Sequence, residues 1–220
     1  MKHIVILLLA INLSLFSFSQ EKINEAILIS KQTVDTDNEQ MKAQLAMMGD
    51  ITTTVYVKDK KTRAETKSPM TGDAIVIIDG KSNDMLMLMN NPAMGKMYMK
   101  QDLSLSNEDK AKLDVKKGDE TKMVLGYECQ QYFAKTNQRG VEVDMEFFTT
   151  EKIEGYTQNV AEFGDLIKGF PLYMEMTMNV PQMGGKTTIT NEVTEIKKES
   201  VPDDKFDMTV PEGYKELPQQ

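Results

Sequence analysis

A chain of 220 residues with 26 basic against 34 acidic side chains has a formal charge of −8, which excludes nucleic acid and an anionic membrane surface as electrostatic partners. The only histidine is His3 and there is no tryptophan, so the body of the chain has no Ser-His-Asp or Cys-His device and no His-ligated metal. A single cysteine, Cys129, excludes an intrachain disulfide, and no cofactor is implied.

The chain begins Met1-Lys2-His3, continues almost unbroken apolar from Ile4 to Leu15, and then presents Ser17-Phe18-Ser19. A basic start, a short apolar core and a small-x-small site form the pattern of a secretory signal peptide. That core is too short to span a bilayer comfortably. Cleavage is expected after Ser19, leaving residues 20–220 as one β-rich domain, periplasmic or secreted. The leader holds one lysine and no acid, so its loss takes the formal charge from −8 to −9. No later stretch has the length and apolarity of a membrane helix, so an integral membrane protein is not expected.

Ile23 to Val34 reads as a long first strand. Asp37, with Gln40 three residues on, resembles a capping box opening a helix, with Met41, Leu45 and Met48 on one face and Gly49 at its end. Ile51 to Lys58 alternates as a half-buried strand, and Thr62 to Lys67 reads as a polar strand at an outer or edge position. Asp73 to Asp79 and Asp84 to Asn90, joined by Gly80-Lys81-Ser82-Asn83, read as a β-hairpin, and Lys96 to Lys100 resumes the pattern. Ser106 to Asp109 starts a short helix running to about Leu113. Tyr127 to Thr136 and Val141 to Thr149 flank Asn137-Gln-Arg-Gly140 as a second hairpin. Thr157 caps a helix with Val160, Phe163 and Ile167 on one face and Gly169 at its end. Pro171 to Val180 is amphipathic, Lys186 to Lys197 is a Thr-rich strand, and Phe206 to Val210 is expected to close the sheet. The expected fold is mainly β (α+β): a curved antiparallel sheet or half-open barrel with a few short helices against the concave face.

The methionines are the main candidate for function. Met85, Met87 and Met89 share one strand face, as do Met97 and Met99, and as do Met174, Met176 and Met178. Leu86 and Leu88 make the opposite face of the central strand apolar too, so something should cover each side. If these strands neighbour one another, they build a methionine-lined surface. Thioethers are flexible and polarizable and suit surfaces that accept varied apolar ligands. Three readings are open: an ordinary core, a lipid or other hydrophobic ligand, and Cu(I), which favours soft sulfur ligands.

Three further segments carry a resemblance. Gly126-Tyr127-Glu128-Cys129-Gln130-Gln131-Tyr132 opens a strand. Gly169-Phe170-Pro171-Leu172 precedes another. Phe206 to Tyr214 forms the ending. In this order they resemble an exported bacterial family catalogued as domain of unknown function four-four-one-two. That family is similar to the periplasmic lipoprotein carriers of the LolA/LolB type, which implies a half-open barrel with an apolar cavity and no catalytic residue.

The remaining motifs have structural readings. Cys129, beside Tyr127 and Phe133 in strand register, reads as a small buried hydrophobe. Asp35-x-Asp37-x-Glu39 lacks the Gly and Glu that an EF-hand needs at its sixth and twelfth positions. Glu142, Asp144 and Glu146 alternate with apolar residues and read as a solvated face, with a carboxylate-only hydrolase as the catalytic alternative. The expected function is an exported, non-catalytic domain binding a hydrophobic or lipid ligand on the methionine face. The alternative is a structural or interaction module whose partner is another envelope protein.

Overall fold

The computed structural model describes residues 21–217 apart from 50, 69–71, 139 and 181–184; the proposed leader lies outside them. Its strands are β1 (Glu25–Thr36), β2 (Ile51–Lys58), β3 (Lys61–Thr66), β4 (Asp73–Asp79), β5 (Asp84–Asn91), β6 (Gly95–Asp102), β7 (Asp114–Val124), β8 (Tyr127–Gln138), β9 (Val141–Thr150), β10 (Phe170–Val180), β11 (Gly185–Lys197) and β12 (Lys215–Glu216). All twelve join one open, curved sheet in the order β12-β6-β5-β4-β3-β2-β1-β11-β10-β9-β8-β7. Every pairing is antiparallel except the two-residue β12 on β6. Strands consecutive in sequence pair with one another: β2 to β6 form one meander and β7 to β11 another, the latter with a long helix-bearing connection between β9 and β10. The long strand β1 joins the two by pairing with β2 on one side and β11 on the other.

Among the described residues, three α-helices accompany the sheet. Helix α1 (Glu39–Met48) is capped by Asn38, whose side chain accepts from the amides of Gln40 and Met41. The expected cap, Asp37, lies one residue too early. Gly49 ends α1 at φ 68, as its position suggested. Helix α2 (Asn107–Lys112) starts at Ser106, whose hydroxyl accepts from the Asp109 amide. Helix α3 (Gln158–Ala161) is a single turn, and Thr157 makes no side-chain cap bond. A 3-10 turn, Gly164–Leu166, follows it, yet Val160, Phe163 and Ile167 are buried together as their spacing predicted.

Two expectations need correction, and one strand had no expectation at all. The Thr62 to Lys67 stretch is no edge: β3 lies between β2 and β4, and Thr62 is buried, with its hydroxyl accepting the Tyr156 amide at 3.0 Å. Its polarity follows from that bond and from facing hydroxyls such as Thr53 and Thr66, 2.7 Å apart, which satisfy one another inside the sheet. The charged run Asp114–Val124, unassigned from sequence, is strand β7 at the free edge. Its charges and a bulge between Lys117 and Thr121 guard that edge. Phe206 to Val210 does not close the sheet. It follows a 3-10 turn, Asp203–Phe206, and crosses one face of β3 and β4.

That crossing covers the leucine face of the central hairpin. Met208, Val210 and Tyr214 pack on Ile77, Leu86 and Leu88, which are buried. Fully burying each leucine contributes about 1.5–3 kcal/mol. A polar clasp holds the segment in place. Lys58 bonds the Val201 carbonyl at 3.1 Å and the carboxylates of Glu25 (3.0 Å) and Asp203 (2.8 Å). Arg63 donates to the Lys205 carbonyl at 3.1 Å, and the Lys205 ammonium stands 4.2 Å from the Tyr56 ring centre. We call this side of the sheet the outer face.

Candidate functional site

The methionines of the central hairpin occupy the inner face. The register sets Met87 directly opposite Met99, and Met89 opposite Met97. Continuing across the sheet, Met87 faces Val76, Val76 faces Ala64, Ala64 faces Val55, and Val55 faces Leu28. Because cross-strand partners point to the same face, these six strands share one apolar row. Met174, Met176 and Met178 belong to the same face, through Asn191 opposite Gln32 and Ile189 opposite Val34.

The two methionine groups are therefore coplanar in the sheet but not neighbours. Five strands, β4, β3, β2, β1 and β11, separate β5 from β10. The expectation that the strands might adjoin thus holds for β5 and β6 alone. Their environments also differ. Met85 and Met174 are buried, whereas Met87, Met89, Met97, Met99, Met176 and Met178 are half-buried. Met174, Met176 and Met178 pack into an aromatic cluster built on Phe147 and Phe163, whose rings meet edge to face at 5.9 Å.

Between these flanks lies a cavity of about 260 Å³. Its floor is the inner face of β1 to β4 with β10 and β11: Ser30, Gln32, Thr53, Val55, Ala64, Val76, Ile78, Met174, Asn191 and Val193. Its roof is the strap joining β9 to β10, through Tyr156, Thr157, Gln158 and Asn159. Besides the Tyr156 amide bond to Thr62, two contacts position the strap. Tyr156 packs on Gly80 so closely that a Cβ there would overlap its ring. Lys110 of α2 pairs with Asp165 at 2.8 Å. Two methionines of the hairpin stand one strand outside the cavity wall, Met87 beside Val76 and the buried Met85 beside Ile78.

Sequence reasoning found Met174 as a cavity residue and missed Gln32, Asn191 and the strap. A signal was present for Gln32: it occupies the inward position of the series Ala26, Leu28, Ser30, Gln32, where a carboxamide interrupts apolar alternation. Nothing local marks Tyr156, whose role depends on a glycine 76 positions earlier.

Other candidates resolve structurally. Cys129 is fully buried in the core, and burial pushes its thiol up to about 11. Its thiol donates a long bond to the Tyr127 carbonyl at 3.5 Å. Glu142 and Asp144 are exposed, and Asp144 pairs with Lys135 at 2.7 Å. Glu146 is half-buried on the outer face and accepts from Gln131 at 2.5 Å. No helix among the described residues is long and apolar enough to cross a membrane.

The fold and cavity define an open antiparallel β domain with a partly roofed inner face. The chain belongs to the family described as Domain of unknown function (DUF4412), whose model matches residues 38–214. No curated protein matches it. Among solved structures it is similar to PNGF-II in two crystal forms. In the C2 form the identity is 15% and the TM-score 0.47, covering 88% of this chain and 31% of that one. In the P21 form the values are 14%, 0.47, 88% and 32%. The chain thus spans about a third of the PNGF-II chains it matches.

Proposed function

We propose that this chain is an exported, non-catalytic domain that holds a small hydrophobic or lipid ligand on its inner face. The observation that carries this reading is the placement of the cavity between two methionine groups on one face of one sheet. Half-buried thioethers offer adaptable apolar contact beside a formed recess. The resemblance to LolA/LolB-type carriers supports the same reading, as does the signal-peptide pattern for export. A recess of about 260 Å³ falls just below the roughly 300–1,000 Å³ of drug-sized sites. It therefore suits one short chain or ring within the cavity, with any longer tail lying over Met87 and Met99. Catalysis has little to work with: the one thiol is buried and protonated, and the only histidine is in the proposed leader.

The test is extraction of the purified protein with organic solvent, mass spectrometry of the extract, and titration with a fluorescent lipid. A co-purifying apolar molecule and saturable binding are expected. An empty extract together with unsaturable binding contradicts the proposal.

A second reading, an envelope interaction module, draws on the free edge at β7. Met123 there is 62% exposed and Phe133 on neighbouring β8 is 43% exposed. Strand addition to this edge would have to overcome its bulge and its charges. Pull-down with Met123→Lys and Phe133→Lys variants tests this reading: loss of a specific partner supports it, and unchanged capture removes its basis.

A further inference from the structure

Resting on that reading of the cavity, the wall chemistry goes further and points to a class of ligand. Nineteen of the described residues line the recess, and among these none is Asp, Glu, Lys or Arg. Four other cavities among the described residues all carry charge. One has Lys110 and Asp165, one Lys22 and Glu151, one Lys135 and Asp144, one Asp84 and Lys100. A charged ligand entering the inner cavity would lose hydration and meet no counter-charge, which is the costly arrangement for a buried ion.

The same wall is not purely apolar. Gln32 and Asn191 stand directly opposite each other on β1 and β11, and both line the cavity. Neither carboxamide has a side-chain hydrogen bond to another described residue. On the roof, the Thr157 hydroxyl oxygen is buried without a partner among the described residues. Among the described residues, the Asn159 carboxamide donates to the Met174 sulfur at 3.1 Å, a weak acceptor. A buried polar atom left unpaired costs free energy, so the Thr157 hydroxyl implies water or a ligand that completes it, while the half-buried carboxamides of Gln32 and Asn191 are available as donors and acceptors. Away from this polar corner the wall turns apolar, through Val55, Ala64, Val76 and Ile78, toward Met87.

We propose that the cavity takes an uncharged, single-chain amphiphile. Its hydroxyl- or ester-bearing head is set against Gln32, Asn191 and Thr157. Its chain runs along the Val55–Ala64–Val76 row onto the half-buried methionines. The carboxamides present both donors and acceptors, which suits an alcohol or ester and gives no preference to an anion or cation. A volume of about 260 Å³, just below that of drug-sized sites, suits a glyceryl head or a short chain segment.

The experiment is calorimetric titration of the full chain with three ten-carbon probes below their micellar concentrations: monodecanoylglycerol, decanoate and decyltrimethylammonium. Saturable binding of the monoglyceride, with both charged probes at least tenfold weaker, is expected. Gln32→Leu and Asn191→Leu, checked for native melting, should each weaken the monoglyceride at least threefold while leaving decane uptake unchanged or improved. If a charged probe binds as tightly as the monoglyceride, the neutral-ligand inference is overturned while apolar binding stands. Unaltered monoglyceride affinity in both leucine variants also overturns it. If none of the probes and no decane binds, the proposed function itself falls.

Discussion

Tyr156 is seated against Gly80, so that the roof of the inner cavity is keyed into the turn between β4 and β5. A Cβ at position 80 would overlap the tyrosine ring and come within 2.9 Å of the Lys60 carbonyl oxygen. Neither the ring body nor the backbone can yield cheaply. Gly80→Ala should therefore displace the strap. Overpacking of this kind costs about 1–3 kcal/mol, and at this chain length each kcal/mol moves the melting temperature by about 2–4 °C. Thermal unfolding with a lipid titration on the same variant checks it: both stability and ligand affinity should fall together.

The two ends of the central methionine face should respond differently to charge. Met85 is 1% exposed, so an ammonium there would be taken out of water. Met85→Lys should lose about 3–5 kcal/mol or fail to fold. Met87 is half-buried, so a lysine can lay its stem along the wall and carry its amine to water. Met87→Lys should fold with a modestly lowered melting temperature and a marked loss of affinity for apolar ligands. Comparable melting temperatures for the two variants would contradict this division.

The clasp on the outer face should weaken in acid. Bonds from Lys58 hold the Glu25 and Asp203 carboxyls below their ordinary ranges. For Glu65, burial pushes upward, but the bonds from Arg63 and Lys205 outweigh it and the net shift is down. Carboxyls depressed in the folded state contribute stability above their unfolded values and lose it as pH falls through the lower folded values. Melting temperature should accordingly drop as pH is taken from about 5 toward 3, and less so in Lys58→Met. Asp203 is largely exposed, so added salt should shrink the effect. A Lys58→Met variant with the same acid profile as the parent would remove the clasp's role.

Cys129 should be inert in the native protein. Its thiol is raised by burial to about 11, so little thiolate exists at neutral pH and reagents have no access. Iodoacetamide at pH 8 should modify it only at the rate of unfolding, and rapidly in guanidinium. Prompt native-state alkylation would show the core around it to be open.

The sequence was most legible where a local rule and the long-range packing agreed. The central hairpin, the Tyr127 to Thr149 hairpin and the amphipathic β10 all appeared at nearly their observed bounds, because alternation and turn residues suffice for antiparallel pairs. Legibility failed where position in the sheet decided the outcome. Polar β3 reads as an edge, yet cross-strand hydroxyls satisfy it in the interior. Charged β7 reads as nothing, yet it is the edge. The ending Phe206 to Val210 has strand composition but serves as a cover, because the leucine face beneath it needed burial more than the sheet needed a strand. The methionine face was visible by period two. The cavity was not, since Gln32, Asn191 and Tyr156 meet only through the β1–β11 pairing and the strap.

The most direct test of ligand binding on the inner face is an NMR titration of methyl-labelled methionines with a monoacylglycerol. Met174 lines the cavity, Met87 and Met99 flank it, and Met94 and Met123 are exposed elsewhere, at 63% and 62%. Saturable shifts at Met174, Met87 and Met99, with Met94 and Met123 unmoved, are the predicted result. Shifts confined to Met94 and Met123, or none that saturate, would contradict the account.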